Sequence, residues 1–224
     1  MRVTQAHIHL LQEGARNLGV ELPDKTLAQF STYLEELLLW SPKIDLISQT
    51  DPTSIIRKHF LDSIAVVTYL PKAGSILDLG SGAGFPGIPL AIALPQTSIS
   101  LIEIRRKRVS FLRHVARRIG AKNLAVHEGR AEELAKDPFL HEAFDVVITR
   151  ATWKISTLLE FAYPFLRERG QVHAMRGPRN NDESPLLDLS SEKFTYTGRH
   201  DYTLPFGSEQ RSLFAFSKNV PRAT

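Results

Sequence analysis

Apolar residues recur every three or four positions through residues 5–70 of the chain, a spacing that is typical of amphipathic helices. We predict three helices in this part. Pro42 and Pro52 are expected to separate them, with Asp51 capping the third helix and Pro52 at its first position. The pattern therefore predicts a helical N-terminal segment, residues 1–73, that packs on the rest of the protein.

From Gly74 onward, short apolar runs alternate with helical stretches, which is typical of a parallel sheet built from β-α-β units. Near the C-terminus, polar and apolar residues alternate on both sides of a turn at 204–207, which predicts an antiparallel hairpin. We therefore predict that residues 74–224 form one α/β domain with a seven-stranded, mostly parallel sheet. The predicted strands are 75–80, 98–103, 123–127, 144–149, 171–175, 193–202 and 211–217. The predicted helices between them are 86–94, 106–119 and 155–166, and an exposed loop is predicted at 177–182.

The composition narrows the class of protein. The chain has 224 residues, 42% of them hydrophobic and 23% charged, as expected for a folded protein with one main domain. It has no apolar run long enough to span a membrane and does not start with a signal peptide, so we expect a cytoplasmic protein. We also expect it to be a monomer. The absence of cysteine excludes disulfides, thiolate metal sites and cysteine nucleophiles, and we expect no metal.

The net charge of +4 is compatible with a polyanionic partner such as RNA. Basic residues concentrate in the predicted helix at 105–118, where they form either a solvated helix face or a nucleic-acid surface. The sequence leaves both interpretations open.

The most informative segment reads Ile-Leu-Asp-Leu-Gly-Ser-Gly-Ala-Gly-Phe-Pro-Gly from 76 to 87, an apolar strand that leads through alternate glycines into a helix. Gly80, Gly82 and Gly84 allow the backbone to turn sharply, and a ligand can then lie directly against the chain. This arrangement predicts a binding site for a nucleoside cofactor.

Two classes of cofactor compete for this site. Residues 82–87 match the Gly-x-Gly-x-x-Gly pattern of dinucleotide sites, which would indicate an NAD(P)-dependent oxidoreductase. However, Pro86 lacks the N–H group that a pyrophosphate would bind, and Asp78 places a carboxylate near that position. These features favour S-adenosylmethionine, which carries a sulfonium and no phosphate. Glu103, at the end of the second strand, can accept hydrogen bonds from ribose hydroxyls in either class.

A further segment, residues 127–133, follows the third strand and includes Ala131 and Glu132. It can form a loop that clasps an adenine edge, or simply the start of a helix with acidic residues in its first turn. Only its position favours the first interpretation.

If the cofactor is S-adenosylmethionine, the residues that the chain lacks narrow the choice of the atom that accepts the methyl group. Methylation of a pyrimidine at carbon 5 requires a cysteine nucleophile. Methylation of exocyclic amines usually accompanies an Asn/Asp-Pro-Pro-aromatic motif, whereas residues 149–153 read Thr-Arg-Ala-Thr-Trp. A ring nitrogen such as guanine N7 has a lone pair and needs no general base, so holding it in line with the methyl group suffices.

Three arginines lie at the carboxyl ends of strands three, four and five, the edge where open α/β sheets bind their ligands. Arginine side chains there can hold RNA phosphates, although each can also form a structural ion pair. The candidate catalytic residues are therefore Arg130, Arg150 and Arg176.

The chain resembles, from about Trp40 to Lys218, the bacterial small-subunit ribosomal RNA guanine-N7 methyltransferase G family, also called the glucose-inhibited division protein B family. The resemblance depends on the order and spacing of five motifs, of which the Gly-Phe-Pro-Gly-Ile-Pro extension of the glycine-rich segment is the most distinctive. The motifs are Lys-His-Phe-Leu-Asp-Ser at 58–63, the glycine-rich segment at 77–90, Lys-Arg-Val-Ser-Phe-Leu at 107–112, Gly-Arg-Ala-Glu-Glu at 129–133, and Phe-Asp-Val-Val at 144–147 leading to Arg150.

The resemblance implies a Rossmann-like class I methyltransferase that transfers a methyl group from S-adenosylmethionine to N7 of a guanine in small-subunit (16S) ribosomal RNA. Carried over by position, the residues that contact the cofactor are Gly80, Phe85, Ala131, Glu132 and Arg150. The resemblance also implies that Arg130 and Arg176 face the RNA or the target base. We expect His59 and Asp62 to link the helical segment to the site, and a purely structural buried polar pair is the simpler alternative.

The chain departs from the family pattern at two places, having Asp-Leu-Ile-Ser at 45–48 instead of Asn-Leu-Thr, and Arg176-Gly177 instead of Lys-Gly. Arginine keeps the positive charge but changes its geometry.

Two other functions remain as alternatives, namely the oxidoreductase and a non-catalytic module that binds RNA or ribosomes through the basic helix.

Overall fold

The computed structural model describes residues 3–48, 51–150, 153–177 and 191–220. Most of the loop predicted at 177–182 lies outside the described residues. The N-terminal part is helical, as predicted, and its third helical segment changes geometry along its length. Its elements are α1 (Gln5–Asn17), α2 (Asp24–Ile44), α3 (Pro52–Ile55), a π-helical turn (Ile56–Leu61), α4 (Asp62–Ala65) and a 3₁₀ turn (Val66–Tyr69).

Two of the predicted helix boundaries can be compared directly. The Asp51 cap is confirmed, because the Ser54 N–H donates to Asp51 Oδ2 (2.8 Å) and Pro52 is the first residue of α3. The prediction that Pro42 breaks a helix is wrong, since Pro42 lies inside the last turn of α2. Burial of Ser41 keeps this turn against the core, where proline removes only one backbone hydrogen bond.

The helix α2 ends instead at Asp45, one of the departures from the family pattern. Asp45 has a left-handed backbone with φ of 49°, a conformation that Asn and Asp tolerate better than most residues do. Its N–H donates to Ser41 O (3.2 Å) and closes the helix. The conformation therefore accommodates either the aspartate found here or the asparagine of the family pattern.

The sheet has seven strands in the order β3-β2-β1-β4-β5-β7-β6. The first five are parallel, and β7 runs antiparallel to both β5 and β6, which confirms the predicted C-terminal hairpin. The strands are β1 (Ser75–Leu79), β2 (Ser98–Glu103), β3 (Leu124–Glu128), β4 (Phe144–Thr149), β5 (Leu166–Arg176), β6 (Phe194–Thr203) and β7 (Gln210–Lys218).

The main difference from the predicted elements lies before β5. The helix predicted to reach residue 166 ends at Ala162, followed by a 3₁₀ turn (Tyr163–Phe165), because Pro164 has no N–H with which to continue an α-helix. The strand then begins at Leu166, and its pairing with β4 is irregular before it becomes regular at Gln171. The predicted strand therefore corresponds to the regular part of β5.

Four helices accompany the strands. They are α5 (Gly87–Ala93), α6 (Arg106–Arg118), α7 (Ala131–Leu134) and α8 (Ile155–Ala162). The segment after β3 thus forms a short helix, with Glu132 and Glu133 in its first turn.

Two clusters of buried apolar residues hold these elements together. One combines the N-terminal helices with the sheet and includes Tyr33, Phe60 and Phe85. The other includes Leu79 of β1 and Leu158 of α8. The N-terminal helices therefore share a core with residues of β1, β2 and β4. Within the described part of the chain, no helix is both long and apolar enough to cross a membrane.

Candidate functional site

The glycine-rich turn after β1 has a backbone that glycine makes possible. Gly80, Gly82 and Gly84 have φ values of 76°, 59° and 104°, which residues with a side chain rarely adopt. The N–H groups of Gly80 and Ser81 both donate to Ile102 O (3.0 Å each), and the Gly84 N–H donates to Ser81 O (2.7 Å). The turn is thus fixed against the end of β2.

Glu103 fixes the turn from the end of β2. Its Oε2 accepts a hydrogen bond from the Gly82 N–H (2.9 Å), and its Oε1 accepts one from the Arg105 N–H (2.7 Å). Each carboxylate oxygen has a second lone pair, but the residue is only 5% exposed, so a ligand hydroxyl can reach it only through a small open area. The next residue, Ile104, is 50% exposed and presents an apolar side chain beside this carboxylate.

Asp78 lies underneath the turn. Its side chain is completely buried, and Oδ2 accepts a hydrogen bond from the Gly87 N–H (2.9 Å) at the start of α5. Burial raises the pKa of this carboxyl group to about 7, and the bond from Gly87 partly opposes the rise. Asp78 therefore supports the turn from behind, and no exposed atom supports its predicted direct role in cofactor binding.

The N-terminal helices hold the other side of the turn through aromatic rings. The Tyr33 hydroxyl donates to Ala83 O (2.7 Å), and burial raises the pKa of Tyr33 well above its usual value. The ring of Phe85 stacks on His59 with centroids 4.9 Å apart, and lies 6.0 Å from the ring of Phe60. The conformation of the turn thus depends on residues far away in sequence.

Arg150, directly after β4, lies against this aromatic group. Its guanidinium carbon is 4.9 Å from the centroid of the Phe85 ring. Nη2 donates to His59 Nδ1 (2.8 Å), and Nη1 donates to Lys58 O (3.3 Å). Burial, followed by the positive charge of Arg150, lowers the pKa of His59 to about 3. His59 is therefore neutral near pH 7 and accepts the hydrogen bond from the arginine.

Asp62 joins three parts of the protein. Its buried carboxylate lies 3.5 Å from Arg150 Nη1 and 3.5 Å from Arg211 Nε of β7, and the Tyr202 hydroxyl of β6 donates to it (3.0 Å). Burial and the negative charge of Asp62 raise the pKa of Tyr202. These contacts join the helical segment to Arg150, and they fit both the expected link to the site and the simpler alternative of a buried polar pair.

The end of β5 differs from what the sequence suggested. Arg176 is only 4% exposed, and its guanidinium donates from Nη2 to Trp153 O (2.8 Å) and from Nη1 to Met175 O (3.1 Å). A buried arginine in this position cannot present its charge to RNA without moving, so this geometry does not support the expectation that Arg176 faces the RNA. The alternative, that it faces the target base, stays a prediction.

Trp153 is one of the residues beside the turn that the sequence did not single out. The outer edge of its ring reaches Gly80, so that a methyl group added at Gly80 would be 2.9 Å from Trp153 Cη2. The only sequence signal was its position shortly after β4, and apolar residues are common at such positions.

The loop after β3 forms the open side of the site. Arg130 is exposed at the position that precedes α7, Ala131 is half-buried, and Glu132 is exposed in the first turn of that helix. The Gly129 N–H donates to Glu103 O (3.2 Å), which places this loop beside the end of β2. The three candidate arginines thus have different environments, since Arg130 is exposed and Arg176 is buried.

The basic helix α6 uses part of its charge to pack against α2. His114 Nε2 lies 2.8 Å from Glu36 Oε2, and Arg118 Nε lies 2.9 Å from Glu36 Oε1, so these two residues attach α6 to α2. Arg106 and Arg117 are exposed and remain available to solvent or a partner. Among the residues that the structure describes, no cluster of His, Asp and Glu side chains is arranged to hold a metal ion.

Comparison with known proteins gives a consistent result. The family model for rRNA small subunit methyltransferase G matches residues 26–214. Proteins named ribosomal RNA small subunit methyltransferase G are similar over most of the chain. The one from Oceanobacillus iheyensis is 34% identical over 217 residues, covering 94% of this chain and 89% of that protein. The one from Roseiflexus sp. is 35% identical over 217 residues, covering 95% and 92%.

Similarity to solved structures concerns the fold. A methyltransferase from Aquifex aeolicus described as SAM-dependent superposes with a TM-score of 0.55 at 16% identity, covering 74% of this chain and 93% of that one. TrmN from Thermus thermophilus gives a TM-score of 0.52 at 15% identity, covering 73% and 53%. The predicted fold, a Rossmann-like class I methyltransferase fold with a C-terminal antiparallel hairpin, is confirmed.

Proposed function

The chain belongs to the rRNA small subunit methyltransferase G family, and from this premise we propose that it transfers a methyl group from S-adenosylmethionine to N7 of a guanine in small-subunit (16S) ribosomal RNA. The observation that carries the proposal is the glycine-rich turn held between Glu103 and the Phe85–Arg150 contact. The alternative oxidoreductase and the non-catalytic binding module are not favoured by the family match.

The backbone at the start of α5 supports S-adenosylmethionine over a dinucleotide. A pyrophosphate needs free N–H groups at such a position. Here Pro86 has none, the Gly87 N–H is bonded to Asp78, and the Ile88 N–H is bonded to Gly84 O (2.8 Å). A nucleoside without phosphate requires none of these groups, so the residues present fit S-adenosylmethionine.

The donor site that we propose follows from this fit. Glu103 holds the ribose hydroxyls, and the exposed side chain of Ile104 offers an apolar surface for the purine. The backbone of the turn lies along the remainder of the donor, and Ala131 and Glu132 close the site from the side of α7. The proposed cofactor-binding residues are Asp78, Gly80, Gly82, Gly84, Phe85, Glu103, Ala131, Glu132 and Arg150, with Asp78 acting through the turn.

The proposed methyl transfer requires no general base from the protein. S-adenosylmethionine supplies an electrophilic methyl group, and the N7 lone pair of guanine can attack it without losing a proton. The residues of the chain therefore act by positioning both partners and excluding other geometries. In this proposal Arg150 orients groups near the donor, Arg130 holds RNA phosphates, and Arg176 acts indirectly by fixing the backbone of Trp153.

Three further predictions from the sequence belong to this proposal. The segment 1–73 acts as a helical extension packed on a methyltransferase domain at 74–224, which the shared apolar cluster supports. A cytoplasmic location is supported by the proposed ribosomal substrate. The protein is proposed to act as a monomer, which light scattering would test.

The experiment that tests the function uses methyl-labelled S-adenosylmethionine and small ribosomal subunits from cells that lack this methylation. After the reaction, the RNA is digested and the labelled nucleoside is identified by chromatography. We expect label in 7-methylguanosine, and its loss in Arg150→Ala. The variant Arg199→Ala, at an exposed position of β6, serves as the control that should keep activity. Label in another nucleoside would refute the N7 assignment, and RNA binding without any label would favour the non-catalytic module.

A further inference from the structure

Trp153 occupies a position that the proposed reaction does not yet explain. The outer edge of its six-membered ring reaches Gly80 at the end of β1, with Cη2, Cζ2 and Cζ3 within 2.9, 3.5 and 3.6 Å of where a Gly80 side chain would begin. Trp153 is only partly buried. An aromatic surface is therefore present directly beside the glycine-rich turn.

The surrounding residues hold this tryptophan in place. Its carbonyl accepts a hydrogen bond from the buried Arg176 (2.8 Å), and its ring meets Phe161 of α8 edge to face, with centroids 5.6 Å apart. The first contact holds the backbone of Trp153, and the second holds its ring. The position of the indole is thus built into the fold.

The chemistry of the donor places a positive charge next to this ring. In S-adenosylmethionine the sulfonium is bonded to the 5′ carbon of the ribose, and the ribose is proposed to bind Glu103 at the end of β2. The adjacent strand is β1, where Gly80 and Trp153 meet. Asp78, the nearby carboxyl group, is completely buried and offers no exposed atom to this cation.

We propose that the Trp153 indole forms the aromatic wall of the donor site and that its π face contacts the sulfonium of the bound donor. This inference rests on the proposed function and assigns a donor-contact residue. The attraction between an aromatic face and a cation is strongest for tryptophan, and it is absent for a neutral thioether. Trp153 therefore favours the charged donor, S-adenosylmethionine, over its neutral product, S-adenosylhomocysteine.

A first experiment locates the ring. The chain has two tryptophans, so Trp40→Phe leaves Trp153 as the single tryptophan, and Trp153→Phe leaves Trp40 as the matched control. Trp40 packs against Phe111 and His114, away from the turn. Titration of the Trp40→Phe protein with S-adenosylmethionine should change the emission of Trp153 in a saturable way, with the dissociation constant found by calorimetry. The Trp153→Phe protein should bind the donor without a change in emission.

A second experiment tests the contact with the cation. Calorimetry compares the affinity for S-adenosylmethionine and S-adenosylhomocysteine in the parent, Trp153→Leu and Trp153→Phe. We expect Trp153→Leu to weaken S-adenosylmethionine binding roughly threefold to tenfold and S-adenosylhomocysteine binding clearly less. Phe at this position should restore part of the preference, because it keeps an aromatic face.

The outcomes separate this inference from the proposed function. Donor binding with no change in Trp153 emission, or equal weakening of both ligands in Trp153→Leu, would overturn the role of Trp153 and leave the methyltransferase function intact. If the parent protein binds no S-adenosylmethionine by calorimetry, the proposed function fails, and the role of Trp153 fails with it.

Discussion

The surroundings of Arg150 and of Arg130 differ although both residues follow parallel strands at the same edge of the sheet. Arg150 contacts His59, Asp62 and the Phe85 ring, and it is held on several sides by the N-terminal helices. Arg130 is exposed before a short helix. Burial and bonding thus give Arg150 a fixed geometry and leave the Arg130 side chain mobile. A fixed arginine is suited to a small ligand, whereas a mobile one is suited to RNA phosphates.

The residues around Arg150 form what we call the fixed side of the site, and the site around Arg130 is the open side. Burying charges on the fixed side costs free energy. Charges that are removed from water are tolerated only when partners replace the lost hydration. Asp62 supplies this compensation to Arg150 and Arg211 together, with Tyr202 as a further partner. The comparison therefore predicts large effects of mutations around Arg150 and small ones around Arg130.

The largest effect is expected from Asp62→Ala. Removing this carboxylate leaves two arginines without their partner in a buried place, which should lower the free energy of unfolding by about 3–5 kcal/mol. The matched control is Asp201→Ala, which removes an exposed ion pair with Arg199 and should cost less than about 1 kcal/mol. Urea denaturation measures both, and similar losses would contradict the claim that the Arg150 side is specially held.

The next effect concerns the turn itself. Gly80→Ala places a side chain at a positive φ and against the Trp153 ring, whereas Gly120→Ala places one at a similar φ in open space. Both should lose about 1–2 kcal/mol of unfolding free energy from the backbone. Gly80→Ala should lose about 1–3 kcal/mol more through crowding. If thermal or urea unfolding gave equal losses of unfolding free energy for the two variants, the Trp153 ring would move aside without cost.

A smaller effect depends on pH. The pKa of Asp78 is raised to about 7 in the folded protein, so the native state keeps a proton that the unfolded state has already released above about pH 4. The contribution of this carboxyl group to stability is complete at low pH and is lost as the pH rises through about 7. Between pH 5.5 and 8 the loss is about 2 kcal/mol.

Asp78→Asn should remove this dependence. The parent must be compared with the variant at both pH values, because the buried His59, whose pKa is lowered, changes stability in the opposite direction. We expect the parent to lose stability relative to Asp78→Asn as the pH rises. An unchanged difference between the two proteins would contradict the burial of an uncharged Asp78.

The smallest effect on stability is expected on the open side. Arg130→Ala should change the free energy of unfolding by less than about 0.5 kcal/mol, because the side chain is exposed. If Arg130 holds a phosphate, the slope of log affinity for RNA against log salt should fall by about 1. Arg117→Ala, on the exposed part of α6, is the control. If Arg117→Ala reduced this slope and Arg130→Ala did not, the RNA-binding surface would lie on α6 and not beside Arg130.

The sequence was sufficient for the parts that depend on local pattern. Alternation of apolar runs and helical stretches predicted the order of the strands along the chain, and the spacing of Gly80, Gly82 and Gly84 predicted the cofactor turn. Motif position also singled out Asp62, which joins the helical segment to Arg150. These features are encoded over short stretches of chain, so a single sequence reveals them.

The features that the sequence did not reveal depend on contacts between distant residues. Pro42 is tolerated inside α2 because the core holds that turn, and Arg176 is buried because Trp153 O accepts its hydrogen bond. The position of the Trp153 ring against Gly80 likewise depends on how β1 and β4 lie side by side. Local propensity carries no information about such contacts.

The most direct test of the account is calorimetric titration of S-adenosylmethionine into the parent, Arg150→Ala and Arg130→Ala proteins, with circular dichroism as the check that each is folded. If the fixed side forms the donor site and the open side serves the RNA, Arg150→Ala should weaken donor binding by about tenfold or more, and Arg130→Ala should change it by less than about twofold. Equal weakening by the two changes, or a stronger effect of Arg130→Ala, would contradict the division between the fixed and the open side.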